Sequence, residues 1–254
     1  FQAEDGIRDF CLSRGLGDVY KRQIRECTEG LFASLGKGTI EDDRIAKETL
    51  VITRDVCEPL FDEAFRLARQ RKSKGGTGRV TCVDKSNVFT AMAFFRKIFD
   101  ERAALNTDIS ADYSYVDAAA LDLVRKPWEF DVMVMENMFG DILSDEAAEL
   151  SGGLGLGGSI NASHDHAVAQ AAHGSAPDIA GQNKANPTAL VTSAHMLWKW
   201  NANRFGNKQL ASAAAHLEAA LDDVLADPAN HTMDMEGSAR TDEFGEVLAR
   251  AVDQ

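Results

Sequence analysis

Long hydrophobic segments are missing from this sequence of 254 residues. It contains no run of about 18 apolar residues, the length a helix needs to cross a bilayer, because charges interrupt its alanine-rich stretches. Basic residues are also outnumbered: 27 lysines and arginines stand against 40 acidic residues, which gives a net charge of −13. Nucleic-acid binders usually carry a basic face that neutralises phosphate. The composition therefore argues against a membrane protein and against a nucleic-acid partner.

Cysteine is rare and irregularly spaced. The four thiols are Cys11, Cys27, Cys57 and Cys82, and no two of them form a CxxC pair or the spacing of a metal finger. This usage predicts reduced thiols in a cytoplasmic protein rather than disulfides. The sequence is 44% hydrophobic and 26% charged, a globular composition that can fill one large core or two modest ones.

An initiator methionine is also absent, and the first 23 residues do not share the pattern of the remaining chain. Phe1–Gln23 shows neither a signal-peptide core nor a helical or strand period. It resembles the translated adapter ends of conceptual proteins from environmental sequencing. We expect this segment to be non-native and exclude it from the fold; the alternative is a natural, divergent extension.

From Ile24 onward, helical and strand patterns alternate, which predicts an α/β fold. Predicted strands span residues 79–83, 113–116, 130–135 and 167–172, and predicted helices span 58–72, 88–101, 118–125, 187–203, 208–226 and 241–252. Asp84 and Lys85 come directly after the first strand and Asp117 after the second. The carboxyl ends of strands are where α/β sheets generally place ligand-binding groups.

The most informative stretch is ENMFGDILSDEAAELSGGLGLG, residues 136–157. It places Asp141 and Asp145 four residues apart, on one face of a helix. Two carboxylates beside a glycine-rich turn suit Mg²⁺ or Mn²⁺, which prefers oxygen ligands. Taken alone, such a pair more often forms a solvated helix face. The run GLGLGG comes after a helix rather than a strand, so we reject a Rossmann fingerprint there.

Three further blocks accompany that stretch: VDKSNVF (residues 83–89) and YVDAAALDLVR (115–125) precede it, and HGSAPDIAGQNKANPTALVTSAHML (173–197) comes after it. In this order the four blocks resemble the isopropylmalate and isocitrate dehydrogenase family of β-decarboxylating hydroxyacid dehydrogenases. The resemblance runs from Ile24 to the C-terminus. It implies a two-domain α/β/α sandwich whose first domain is incomplete. Residues 24–151 would be the middle, dimer-forming domain, and residues 152–254 the C-terminal half of the nucleotide-binding domain.

The resemblance also implies an activity. Family members oxidise a 2-hydroxy dicarboxylic or tricarboxylic acid such as 3-isopropylmalate, tartrate, D-malate or isocitrate, with β-decarboxylation. They use a nicotinamide cofactor and Mg²⁺ or Mn²⁺, and they act as homodimers with shared active sites. Two alternatives are a non-catalytic relative kept for assembly or regulation, and an inactive fragment.

The same resemblance implies roles for the acidic and basic residues. Asp141 and Asp145 would bind the metal together with Asp117 of the partner subunit, and Lys85 would transfer protons across the dimer interface. Arg25, in IRECTEGLF, would bind a substrate carboxylate bidentately. Considered singly, Asp117 would more often be a helix N-cap and Lys85 a surface charge.

The cofactor site is expected in the loop that begins at His173. Small residues there let backbone amides approach a ligand, and Asp178 can accept hydrogen bonds from both ribose hydroxyls while repelling a 2′-phosphate. With Ile179 beside it, the pair matches the family's NAD pattern rather than the NADP pattern. The expected cofactor residues are Asn87, His173, Gly174, Ser175, Ala176, Pro177, Asp178, Ile179 and Asn186.

Two positions depart from the family. Phe32 stands where a tyrosine is common seven residues after the arginine, and a phenyl ring cannot donate the proton that completes decarboxylation. Gly158 stands where a proline is common, which predicts a looser chain at that point.

Overall fold

The computed structural model describes residues 7–12 and 21–253. These residues form nine strands and seven α-helices, and the predicted α/β class is confirmed. The strands are β1 (Ile7–Leu12), β2 (Lys21–Glu26), β3 (Thr39–Glu41), β4 (Ile45–Lys47), β5 (Arg79–Asp84), β6 (Ser110–Tyr115), β7 (Val132–Met135), β8 (Gly158–Ala162) and β9 (Ala167–Ala171). The helices are α1 (Arg54–Lys72), α2 (Thr90–Ala103), α3 (Val116–Arg125), α4 (Asn137–Leu150), α5 (Thr188–Phe205), α6 (Lys208–Ala226) and α7 (Thr241–Val252).

The chain divides into two compact units. It passes from the first to the second within α4, between Ala147 and Ala148, and the short segment Ala162–Asp165 belongs to the first unit again. The first unit is built on parallel strands in the order β6-β5-β7-β2. Val80 lies opposite both Ala111 and Val132, and Arg25 lies opposite Met135. Because these strands run the same way, their carboxyl ends share one edge of the sheet.

The core of the first unit lies between the sheet and two helices. Strand β7 is buried along its whole length, as a parallel strand covered on both faces should be. Helix α1 packs against β7 and α2 against β5, and their rings interlock: Phe61 lies 4.7 Å from Phe95 and 5.3 Å from Phe99, measured between ring centroids. Burying each such ring contributes about 1.5–3 kcal/mol, so this cluster fixes the helices on the sheet.

The second unit packs α5 against β9 and closes with α6 and α7. Leu221, Val224, Phe244 and Leu248 form its apolar centre. Gly158 begins β8 and is buried, and a Cβ added there would fall 2.7 Å from Thr192 Cγ2. Glycine at this position therefore allows α5 to approach β8 closely.

Most predicted elements are present, with differences at their ends. The bounds predicted for α6 and α7 agree with the structure, because polar caps mark both starts: Asn207 Oδ1 accepts from Leu210 N at 3.0 Å, and Glu243 accepts from Arg240 N at 2.9 Å. Helix α1 begins at Arg54 rather than at Glu58, since Arg54 pairs with Glu58 at 2.9 Å and lengthens the first turn. The β3–β4 hairpin, β8, β1 and β2 were not predicted. The exclusion of residues 1–23 from the fold differs from the structure, because β1 and the first half of β2 lie in that segment and join the sheet.

Among the helices of residues 21–253, none is long and apolar enough to span a membrane.

Candidate active site

Arg25 and α4 form the centre of the candidate site in the first unit. Arg25 lies near the end of β2 with only 6% of its surface exposed. Its Nε and Nη2 donate to Asn137 Oδ1 at 3.0 and 2.7 Å, and its Nη1 pairs with the Asp141 carboxylate. The fold therefore brings together the residue expected to bind a substrate carboxylate and one expected to bind a metal.

Gly140 makes this contact possible. A Cβ at Gly140 would lie 2.5 Å from Arg25 Cγ, so the arginine side chain can cross the first turn of α4 only because no side chain stands there. Gln23, two residues before Arg25 in β2, donates from Nε2 to the Gly140 carbonyl at 2.7 Å. Strand β2 thus holds α4 at its first turn.

Two buried glutamates support the same region. Glu26 is 1% and Glu136 0% exposed. Glu136 accepts from Met138 N at 3.1 Å and from Phe139 N at 3.0 Å, which caps the start of α4, while Glu26 accepts from Glu29 N at 2.8 Å. Burial raises the pKa of both carboxyls, and the charge of Glu26 further raises the pKa of Glu136.

Asp141 and Asp145 lie one helical turn apart on α4, and both are exposed. Their hard carboxylate oxygens have the chemistry that Mg²⁺ or Mn²⁺ requires. Across residues 21–253, however, the structure groups no three histidine, cysteine or acidic side chains so as to hold a metal ion. The two aspartates fit one side of a divalent-cation site and need further ligands from outside this group.

Lys85 and Asp117 form a second cluster at the same edge of the sheet. Lys85 comes directly after β5, Asp117 lies in the first turn of α3 after β6, and the Lys85 ammonium donates to Asp117 Oδ1. This bond is the main cause that lowers the pKa of the Asp117 carboxyl. The N-cap interpretation of Asp117 is wrong, because Tyr115 occupies that position.

Phe32 lies beside the arginine, as its place in the sequence suggested. Its ring centroid is 5.7 Å from Arg25 Cζ, and 44% of the residue is exposed. The ring covers one side of the guanidinium, which is an attractive cation–π arrangement, but it offers no proton.

The expected cofactor loop lies in the second unit and is open to solvent. Every residue from His173 to Asp178 is exposed, and Ile179 is half-buried. Ala176 adopts the left-handed conformation (φ 42°, ψ 61°) just before the single 3-10 turn Pro177–Ile179. The Asp178 carbonyl accepts from Gln182 Nε2 at 2.7 Å, a bond that does not involve the exposed Asp178 carboxylate. Asn87, in the first unit, is also exposed.

Asn186 differs from the rest of the loop because it is buried. Its Nδ2 donates to Asp234 Oδ2 at 3.0 Å, and its Oδ1 accepts from Thr188 N at 3.0 Å. Asp234 also accepts from Thr232 Oγ1 at 2.5 Å. With both ends of its side chain bonded within the protein, Asn186 fixes the end of the loop.

Sequence reasoning missed the residues that anchor this loop. Besides Asp234, the start of α7 holds it: Thr241 Oγ1 donates to the Ala185 carbonyl at 2.6 Å, and Asp242 N donates to Asn183 Oδ1 at 3.2 Å. Asn183 has a positive φ of 57°. The two residues of each of these contacts are about 50 residues apart in the sequence, so no local sequence pattern indicates the contacts.

Comparisons with known proteins agree on one family. Residues 19–248 match the family model described as isocitrate/isopropylmalate dehydrogenase. The 3-isopropylmalate/3-methylmalate dehydrogenase of Methanocaldococcus jannaschii is 43% identical over 230 residues, which are 90% of this chain and 66% of that protein. The 3-isopropylmalate dehydrogenase of Parasynechococcus marenigrum is 42% identical over 206 residues, 80% of this chain and 55% of that protein.

A solved structure gives the same result. The isocitrate dehydrogenase of Methylococcus capsulatus superposes with a TM-score of 0.87 at 34% identity, over 98% of this chain and 74% of that chain. The chain thus spans just over half to about two thirds of the length of the named dehydrogenases that it matches in sequence.

Proposed function

Because this chain belongs to the isocitrate/isopropylmalate dehydrogenase family, we propose that the complete protein is an NAD-dependent dehydrogenase that oxidises a 2-hydroxy acid with the help of a divalent metal. We favour 3-isopropylmalate as substrate over isocitrate, tartrate or D-malate, since relatives at 42–43% identity carry that name. The observation that carries the proposal is the contact of Arg25 with Asn137 and Asp141 at the carboxyl edge of the sheet.

Arg25 would bind and orient the substrate in this reaction. Its guanidinium is already fixed by Asn137, so little side-chain freedom is lost when a carboxylate binds. The substrate carboxylate would lie next to Asp141, and Asp145 would complete that face. A divalent cation held by these aspartates would supply Lewis-acid polarisation of the C2 oxygen.

Lys85 would transfer the proton. Lys85 Nζ would accept the proton of the C2 hydroxyl while the hydride of the C2 carbon passes to NAD. Asp117 would position the ammonium by its ion pair and contribute a carboxylate to the metal. We assign both residues to the active site of the partner subunit, which is consistent with the two separate clusters that one chain contains.

Cofactor binding would take place on the loop from His173 to Ile179 and on Asn186. Its exposed backbone can approach a dinucleotide, and the Asp178 carboxylate can accept from the ribose hydroxyls. Its negative charge would repel a 2′-phosphate, which favours NAD over NADP. Asn87 would also contribute to cofactor binding.

We further propose a homodimer with shared active sites in the cytoplasm. The β3–β4 hairpin supports the dimer: it is exposed along both strands, with Ile40 76% and Ile45 50% exposed. A two-stranded ribbon with apolar side chains in solvent is marginal without a further surface. Residues 24–151 would form this dimerising domain, and residues 152–254 would form half of the nucleotide domain.

A non-catalytic relative is the second candidate, and Phe32 favours it. Without a tyrosine hydroxyl beside Arg25, the chain lacks one proton donor for the enolate.

One assay separates the two candidates. The full-length gene product should reduce NAD with 3-isopropylmalate and Mn²⁺, whereas a folded dimer that turns over none of 3-isopropylmalate, isocitrate, tartrate and D-malate would refute the enzyme. Asp141→Asn should weaken Mn²⁺ binding, measured by electron paramagnetic resonance, by at least about tenfold because a charged ligand is lost. Glu149→Gln, an equal charge change on the exposed part of α4, is the matched control.

A further inference from the structure

A third group of residues lies next to the Lys85–Asp117 pair, at the ends of β5 and β6. Asp84 is the last residue of β5 and lies opposite Tyr115, the last residue of β6. Lys85 therefore comes directly after one strand end, and Asp117 comes two residues after the other. Whatever fixes these two strand ends relative to each other also fixes the distance between the lysine and the aspartate.

The end of β5 holds a buried charge. Asp84 is fully buried, and its carboxylate accepts from Arg96 Nε at 2.6 Å, from Arg96 Nη2 at 2.9 Å and from Ser86 N at 2.8 Å. A buried carboxylate is stable only with such partners, since an unpaired one would be expensive. Arg96, on α2, therefore fixes the end of β5 through a two-point contact.

The same guanidinium also holds β6. Arg96 Cζ lies 3.9 Å from the centroid of the Tyr113 ring and 5.1 Å from that of Tyr115. A planar guanidinium can stack on an aromatic face while its N–H groups bond a carboxylate at its edge, which an ammonium cannot do. Arg96 thus joins α2, the end of β5 and the rings of β6 in one contact.

Tyr115 lies between Arg96 and the Lys85–Asp117 pair and contacts both. Its ring centroid lies 5.7 Å from Lys85 Nζ, and that nitrogen donates to Asp117. The ring that Arg96 stacks against is therefore also the ring beside which the lysine side chain lies.

We propose that Arg96 is a positioning residue: through Asp84 and Tyr115 it fixes the strand ends and the aromatic ring that hold Lys85 in line with Asp117. The proposal rests on the proposed function in so far as Lys85 is the proton-transfer residue. Replacing the guanidinium with an ammonium keeps the charge beside Asp84 and removes both the second hydrogen bond and the ring stacking.

The test compares Arg96→Lys with Arg102→Lys in the full-length protein. Arg102 is the matched control because it lies on the same helix and makes an equivalent two-point contact, to Asp62 at 2.8 and 2.6 Å. The first readout needs no turnover: the rate at which acetic anhydride labels Lys85, measured by peptide mass spectrometry against the other lysines. The second is the split between kcat and KM.

Arg96→Lys should raise the labelling rate of Lys85 severalfold and lower kcat by at least about tenfold, because a misplaced catalytic group costs rate steeply. The KM for NAD should not change, and Arg102→Lys should leave kcat, KM and labelling as in the wild type. Unchanged labelling and kcat in a folded Arg96→Lys protein would overturn the proposal. So would equal losses in both variants, which indicate general loosening of α2.

If Arg96→Lys does not fold, Tyr115→Phe and Tyr115→Leu replace it. The phenylalanine keeps the ring and should retain the labelling rate, while leucine should raise it; identical behaviour of the two refutes the positioning role. A wild-type protein with no turnover refutes the proposed function, and the labelling result then still decides the role of Arg96.

Discussion

At the scale of single residues, Glu26 and Glu136 are two buried carboxyls next to the site. Both carboxyls lie out of water, and each satisfies backbone N–H groups that begin a turn or a helix. The pKa of both is raised, mainly by burial, so the folded state binds these protons more tightly than the unfolded chain does. Stabilisation from the neutral carboxyls is complete below the ordinary pKa of 4.5 and is lost as the pH rises through the raised values.

Glu136→Gln should therefore shift the pH dependence of stability. Between pH 4 and pH 8 the free energy of unfolding of the variant should improve relative to the wild type, by about 1.4 kcal/mol for each unit of pKa shift removed. Urea titrations at both pH values measure it. Glu149→Gln, on the exposed part of the same helix, should show no such trend. A constant difference across the range would contradict the raised pKa.

Asp178 is the residue that decides the cofactor in our proposal. Asp178→Lys should move the ratio of kcat/KM toward NADP by at least about tenfold, since a repulsion and its replacement by an attraction are each worth about 1 kcal/mol. Steady-state rates with both cofactors measure the ratio. Asp253→Lys gives the same change of charge at the chain end, and an equal shift there would mean that net charge alone acts.

At the scale of elements, two glycines show that the surrounding packing determines whether an added methyl group lowers or raises the free energy of unfolding. Gly158 starts β8, where an added Cβ would lie 2.7 Å from Thr192 Cγ2 and 2.9 Å from Ser193 N on α5. Gly245 lies within α7, where an added Cβ would meet no atom within 4 Å.

Gly158→Ala should lower the free energy of unfolding by about 1–3 kcal/mol, because α5 must move away from β8. Gly245→Ala should raise it by about 0.5–1 kcal/mol, because alanine favours a helix over glycine and nothing obstructs it. Denaturant titration measures both. The close approach of α5 to β8 would be wrong if the two substitutions had the same sign.

At the scale of the whole molecule, our proposal assigns assembly of the dimer to the β3–β4 hairpin. Ile40→Glu should convert a dimer of the full-length protein to monomer at micromolar concentration, since a charge would be buried without a partner at the interface. Light scattering after gel filtration measures the mass. Leu105→Glu, at another residue with 70% exposure, should stay dimeric. If the Ile40 variant remains a dimer, the interface lies elsewhere.

Much of this molecule could be predicted because its patterns are local. Apolar runs and caps located α6 and α7, and the spacing of Asp141 and Asp145 predicted the acidic pair of α4. The β3–β4 hairpin was not predicted from the sequence, because its short strands are exposed and show no alternation of apolar and polar residues. The contacts Asn186–Asp234 and Arg96–Tyr113 were not predicted either. Hydrogen bonds and ring stacking between distant segments produce no periodic pattern in the sequence.

The sequence by itself determined the α/β class, the order of most of its helices and strands, and the four motifs that identify the family, since hydrophobic periodicity and catalytic spacing are properties of neighbouring residues. Only the tertiary structure decided that Arg25 lies against Asp141 across Gly140, and that Lys85 pairs with Asp117. Parallel strands bring residues far apart in the chain to one edge, and close packing then selects which side chains touch.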